Sequence, residues 1–172
     1  PSNVFNFFLY YVRDTKFYLV LLAIFSALLA FTEVSLFAFL GNTVDWLVAS
    51  NPNTFLEDHW YQLIGIVFLL LIVFPGLVFI QSSILHQTLM GNFPMRMRWL
   101  FHRYLLKQSL DFYSNEFAGR ISTKMMQTAL AVRDSVIKIC NVGIYILVLI
   151  ISMALLLAST SWVLALPLLC WV

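Results

Sequence analysis

The chain has 172 residues, 62% of them hydrophobic and only 10% charged, where a soluble domain is about 45–50% apolar and about 25% charged. With 8 acids and 10 bases it cannot coat a globule of this size in water, so composition excludes an ordinary soluble domain and points to a membrane protein. A net charge of +2 is too small for a nucleic-acid binder, which needs a dense basic footprint.

The N-terminal stretch NVFNFFLYYVRD places Phe5, Phe8, Leu9 and Val12 at helical spacing, opposite Asn3, Asn6 and Arg13. That pattern predicts an aromatic amphipathic helix over 3–14 that lies in the membrane interface; the alternative is a disordered tail. A spanning helix needs about 20 apolar residues, and three runs qualify. Phe17 to Leu40 carries Glu33 as its one charge, while Tyr61 to Ile80 and Ile139 to Ala158 carry none. A fourth run starts near Trp162 and is cut off at Val172, so a piece of a longer protein is expected, and absences hold for this part alone. Pro75-Gly76 inside the second run predicts a kink. No run alternates with the two-residue period of a barrel strand. The fold class is an all-α membrane protein.

All 10 bases lie either before the first run, at Arg13 and Lys16, or between Arg96 and Lys138. The 41–60 loop has no Lys or Arg but contains Asp45, Glu57 and Asp58. Positive charge stays cytoplasmic, which puts the N-terminus inside, with the 41–60 loop and the Ser159-Thr160-Ser161 turn outside.

Gln81 to Lys138 is far longer than the 2–8 residues that usually join bundle helices, and its apolar residues keep helical spacing. Leu85 and Leu89, Leu100 and Tyr104, and Phe101 and Leu105 are four apart; Ile121, Met125, Ala129, Val132 and Val136 follow at threes and fours. Between these arms sits SLDFYSNEFAGR, rich in cap and turn residues. The simplest reading is that the second and third membrane helices continue about 29 residues, or about 40 Å, into the cytosol, closed by a short transverse helix. A small cytosolic helical domain is the alternative, and Gly91-Asn92-Phe93-Pro94 is where the first arm could break. Exposed Phe112, Tyr113 and Phe117 at such a tip would mark a contact surface.

Little in the chain suggests catalysis. The glycines at 41, 65, 76, 91, 119 and 143 never take phosphate-loop spacing, and His59, His86 and His102 do not form a zincin motif. Cys140 and Cys170 stand in apolar stretches without metal-ligand spacing. No catalytic, cofactor or metal residue is therefore expected in this part. Glu33, within a span, should face a protein interior or a water-filled cavity. It reads either as a substrate or proton contact, or as a hydrogen-bonded acid near Thr32 and Ser35 that helps helices associate. Gln81, Ser82, Ser83, His86 and Gln87 form a polar stretch that either lines an inward cavity or solvates the interface. Arg96, Arg98, Arg103 and Lys107 either attract anionic lipid or substrate, or solvate an exposed face.

The arrangement of elbow helix, N-inside first span, short outer loop, long cytoplasmic hairpin and short outer turn resembles the transmembrane domain of type I ATP-binding cassette (ABC) exporters. Gly41 and Asp45 match a glycine and acid that tend to end the family's first span. Phe112-Tyr113, Gly119, Ile121 and Lys124 fall in the register of its hairpin tip, and AGRISTKMMQTALAVRDSV resembles the start of its third helix. Ser114 and Arg120 stand where acids are usual, and Thr128 where an aspartate is frequent. The resemblance divides this partial domain into an elbow helix (3–14), a first span (17–49), a second span with cytoplasmic extension (57–109), a coupling helix (110–117), a third helix (118–158) and the start of a fourth span (162–172).

It implies that Leu110, Asp111, Phe112, Tyr113, Ser114, Asn115, Glu116 and Phe117 dock on a nucleotide-binding domain, fused or separate, that holds ATP and Mg and is missing from this part. It further implies a homodimer or heterodimer of half-transporters in the plasma or inner membrane, with Glu33, Gln81 and His86 as candidates for the substrate pathway. Two rivals stay open: a membrane scaffold or receptor whose hairpin binds a soluble partner, and an ion-coupled secondary transporter that uses Glu33.

Overall fold

A computed structural model describes residues 4–49, 55–115 and 117–160. The expected start of a fourth span at 162–172 and Glu116 lie outside the described residues. Among those described, every regular element is helical. A short helix α1 (Val4–Val12) precedes α2 (Lys16–Ala49). Next come α3 (Phe55–Phe68), α4 (Phe74–Ser83) and α5 (Gly91–Leu105), joined end to end by the π-helical stretches Leu69–Val73 and Ile84–Met90. The short α6 (Leu110–Asn115) leads to α7 (Ala118–Lys138), and a third π-helical stretch, Ile139–Gly143, joins α7 to α8 (Ile144–Thr160).

Among the described residues, three helices are long and apolar enough to cross a membrane: Lys16–Val48, His59–Leu105 and Gly119–Thr160. A helix satisfies the backbone groups of its interior within its own length, as a segment in hydrocarbon must. The second runs unbroken through Pro75 and Pro94. A proline ring collides with the carbonyl four residues back; here those carbonyls belong to Leu71 and Met90, and each lies in a π-helical stretch. The wider π turn moves that carbonyl out of line, so the helix absorbs the proline. The possible break at Gly91–Pro94 therefore does not occur, and Pro94 is buried.

The chain divides into two compact units. Residues 1–23 and 82–142 make one, in which α5 packs on α7. On α7 the buried residues Ala129, Val132 and Val136 follow the spacing seen in the sequence. On the other arm the buried row is Leu89, Phe93 and Met97, and of the pairs read from the sequence only Leu89 is buried, with Tyr104 exposed. Leu22 is fully buried in the same unit.

Residues 24–81 and 143–172 make the other unit. Here Ser26, Leu29, Ala30 and Val34 of α2 are buried, while α4 and α8 have no buried residue among those described. Large apolar side chains such as Phe31, Leu71, Phe79 and Leu155 stay exposed, which hydrocarbon tolerates because lipid tails are as apolar as leucine. Thr32 and Ser35 donate to the carbonyls of Leu28 and Phe31, each at 2.8 Å, and so satisfy themselves within their own helix. Near the end of α2, Trp46 stacks on His59 at 4.7 Å, with Trp60 and Tyr61 following, an aromatic cluster of the kind that marks a membrane–water boundary.

Candidate functional site

The segment between α5 and α7 is built by caps. Helix α5 closes with Leu106 N–H donating to the His102 carbonyl at 3.0 Å and Gln108 N–H to that of Leu105 at 2.9 Å. Ser109 then caps α6, its Oγ accepting the Phe112 N–H at 3.4 Å, and Asp111 in the first turn complements the helix dipole. Ser114 Oγ donates to the Asp111 carbonyl at 2.9 Å. Tyr113 reaches back so that its hydroxyl donates to the Leu105 carbonyl at 2.6 Å, tying α6 to the end of α5. Phe117 is extended, with φ −69° and ψ 128°, and heads α7 by accepting the N–H groups of Arg120 and Ile121.

These bonds give the eight docking candidates different positions. Leu110 is 88% exposed and Phe117 79%, and Asp111 and Ser114 are exposed beside them. Phe112 turns inward and lines a cavity of about 320 Å³ with Phe7, Phe101, Tyr104, Ile121 and Met125. Tyr113, 40% exposed, acts as the tie described above. Asn115 ends α6. From the sequence, Phe112, Tyr113 and Phe117 form one aromatic cluster; the folded segment keeps Phe117 outward, turns Phe112 inward and adds Leu110 to the outer face.

The three pathway candidates are placed separately. Glu33 on α2 accepts a hydrogen bond from the Tyr145 hydroxyl on α8. Gln81 Nε2 on α4 donates to Ser26 Oγ on α2 at 2.9 Å, and Ser26 is fully buried. His86 is exposed on the π-helical stretch Ile84–Met90, in the unit that holds α5. Ser26 and Tyr145 were not expected as partners. Tyr145 had a signal, since it is the sole aromatic residue of the Ile139–Ala158 run; Ser26 had none that separates it from Ser35. A second groove, about 260 Å³, lies between Phe31, Val34 and Ala38 of α2 and Ser152, Leu155 and Leu156 of α8. Among the described residues, no group of three His, Cys, Asp or Glu side chains is arranged to hold a metal.

Residues 19–172 match the family described as the ABC transporter transmembrane region. The chain belongs to this family. It is also 45% identical, over 99% of its length, to an uncharacterised ABC transporter ATP-binding protein of Haemophilus influenzae. The alignment covers 28% of that relative, so the chain spans a little over a quarter of its length. No solved structure matches. With its three long apolar helices, this ABC transmembrane region is an integral membrane protein.

Proposed function

We propose that this chain is the first part of the membrane domain of an ATP-driven exporter, and that α6 with Phe117 forms its docking surface for a nucleotide-binding domain. The observation that carries the reading is the outward pair Leu110 and Phe117, held by a capped helix between two packed arms. Apolar side chains that stay exposed in a segment rich in charge call for a protein partner. The reading takes residues 1–172 as a partial domain, with α1 as the elbow, its N-terminus cytoplasmic, and the α5 and α7 arms as a hairpin. Packed helices shift between discrete arrangements, so nucleotide-driven motion at the tip would reach the spans as a step. ATP and Mg belong to the partner domain, the working unit is a dimer of half-transporters in the plasma or inner membrane, and this part carries no chemistry of its own.

Within the spans we read Glu33 first as a helix-associating acid, because Tyr145 already satisfies it. Gln81 is read the same way through Ser26. His86, exposed, remains the open candidate for substrate contact. Family membership favours a transporter over a scaffold, and the Tyr145 bond gives Glu33 a partner within the chain.

Photo-crosslinking tests the docking surface. In the complete transporter, benzoylphenylalanine in place of Phe117 should capture peptides of the ATPase domain on irradiation. The same probe at Phe112 should capture residues of this chain instead. Capture of lipid or of transmembrane helices alone from position 117 would overturn the reading.

A further inference from the structure

The N-terminal helix does more than precede a span. Apolar spacing gives α1 a face made of Phe5, Phe8, Leu9 and Val12, yet its ring contacts come from another edge, Phe7 and Tyr11, whose centroids lie 4.7 Å apart. Tyr11 meets Phe101 of α5 at 5.3 Å with the rings at 63°. One turn further toward the N-terminus, Phe7 enters the cavity lined by Tyr104 and Leu105 of α5, Phe112 of α6 and Met125 of α7. At the other end of α1, Asp14 pairs with Arg96. As the numbers fall from 14 to 11 to 7, the partners rise from 96 to 101 to the 104–112 region. Helix α1 therefore runs antiparallel along α5 toward α6, all within one compact unit. The turn that starts this path is fixed, because Thr15 bonds the Val12 carbonyl through both its N–H, at 2.9 Å, and its hydroxyl, at 3.2 Å.

We propose that α1 is a strap that positions α6, with Phe7 and Tyr11 as positioning residues: Phe7 seats against Phe112 from below while Leu110 and Phe117 face outward. The Asp14–Arg96 pair is half-exposed at both ends, so it sets the register of the strap and adds little strength. The rings carry the contact. Burial, with Tyr10 as a smaller contributor, pushes the Tyr11 phenol above its ordinary pKa. When α1 leaves the cavity, Phe112 loses one wall and α6 loses the support opposite its docking face. The strap rests on the reading of α6 as the docking helix, but its geometry stands apart from that reading.

Two measurements on the complete transporter in lipid vesicles separate the two. First, benzoylphenylalanine in place of Phe7 should capture peptides containing 101–105 or 121–128. Capture of lipid alone, as from a helix lying in the interface, overturns the strap whatever α6 does. Second, Tyr11→Ala is combined with the crosslinker at Phe117. One aromatic contact biases a two-state equilibrium by about 2–13-fold, so capture of the ATPase domain should fall by a factor in that range. Tyr11→Phe, which keeps the ring, should restore it, while the KM for ATP stays unchanged in both. Undiminished capture in Tyr11→Ala, with normal capture in the unsubstituted chain, refutes the strap alone. Failure of capture in both refutes the docking surface and leaves the Phe7 result to judge the strap. Equal loss in Tyr11→Phe would assign the effect to the hydroxyl and overturn the ring-contact mechanism.

Discussion

Replacing Tyr145 by phenylalanine removes one hydroxyl from the boundary between α2 and α8 and leaves the ring in place. That hydroxyl donates to Glu33, the one carboxylate inside the apolar runs 17–40, 61–80 and 139–158. Interhelical hydrogen bonds in membranes contribute about 0.6 kcal/mol on average and up to about 1.7, and a bond to an acid belongs at the upper end because charge strengthens it. Tyr145→Phe should therefore destabilise the membrane domain by about 1–2 kcal/mol. Glu33→Leu is expected to cost less or to stabilise, since a charged side chain at a span centre costs about 2.5–3.5 kcal/mol on insertion scales. In the Glu33→Leu background the phenol has nothing to donate to, so adding Tyr145→Phe should change stability little. The double-mutant cycle, read from the midpoint of SDS-driven unfolding of the complete transporter in mixed micelles, should give a coupling of about 0.6–1.7 kcal/mol. Additivity within about 0.3–0.5 kcal/mol would refute the view that this bond joins the helices.

Leu22 is fully buried, so Leu22→Ala should cost about 2–5 kcal/mol, measured by the same unfolding midpoint; a loss under about 1 kcal/mol would mean the site collapses freely. Ser26 is also fully buried beneath Gln81, and Ser26→Leu should cost about 1–3 kcal/mol through overpacking, a larger effect than Ser26→Ala, which only removes the hydroxyl. Leu110→Ala should leave stability within about 0.5 kcal/mol because the side chain is 88% exposed, yet lower ATPase-domain capture from position 117. Phe112→Ala should do the reverse first, lowering the unfolding midpoint by opening the cavity it lines.

The long helices were legible because a span is a length and composition signal, and charge-poor runs such as Tyr61 to Ile80 carry it without help from partners. The packed face of α7 was legible because Ala129, Val132 and Val136 recur at threes and fours, the positions that the structure buries. The face of α5 was not, since Phe93 and Met97 stand beside Pro94 in a stretch that reads as a possible break. The π-helical stretches were not, since no periodicity announces them; only Pro75 and Pro94 marked where a helix would need to widen. Contacts across helices were beyond reach for a different reason. Tyr145 and Glu33 stand 112 positions apart and Gln81 and Ser26 stand 55 apart, and local spacing carries no information about such pairs. The Phe7–Tyr11 edge was hidden by a stronger neighbour, because α1 has apolar residues on nearly every side and helical spacing in the sequence singles out the Phe8 and Val12 face.

Exposure carries two meanings in this chain. Leu155 at 66% and Leu71 at 71% are as bare as Phe117 at 79%, but the first two sit in charge-free runs where hydrocarbon is the solvent. Phe117 sits between Asp111 and Arg120, in the segment that holds most of the bases; the docking reading places that segment in water, where a bare ring is costly. In the reading proposed above, the same accessible area that needs no explanation in a span calls for a partner at Phe117. Secondary structure makes the contrast sharper. The Ser109 cap and the Tyr113–Leu105 tie hold α6 with Leu110 outward, and Phe117 stays outward at the head of α7, while Phe112 turns toward the cavity. A segment that only had to turn the chain could have turned all four rings and side chains toward the cavity. In the docking reading proposed above, Leu110 held out on a six-residue helix tied to the end of α5, together with Phe117 held out at the head of α7, is what separates a docking surface from a loop.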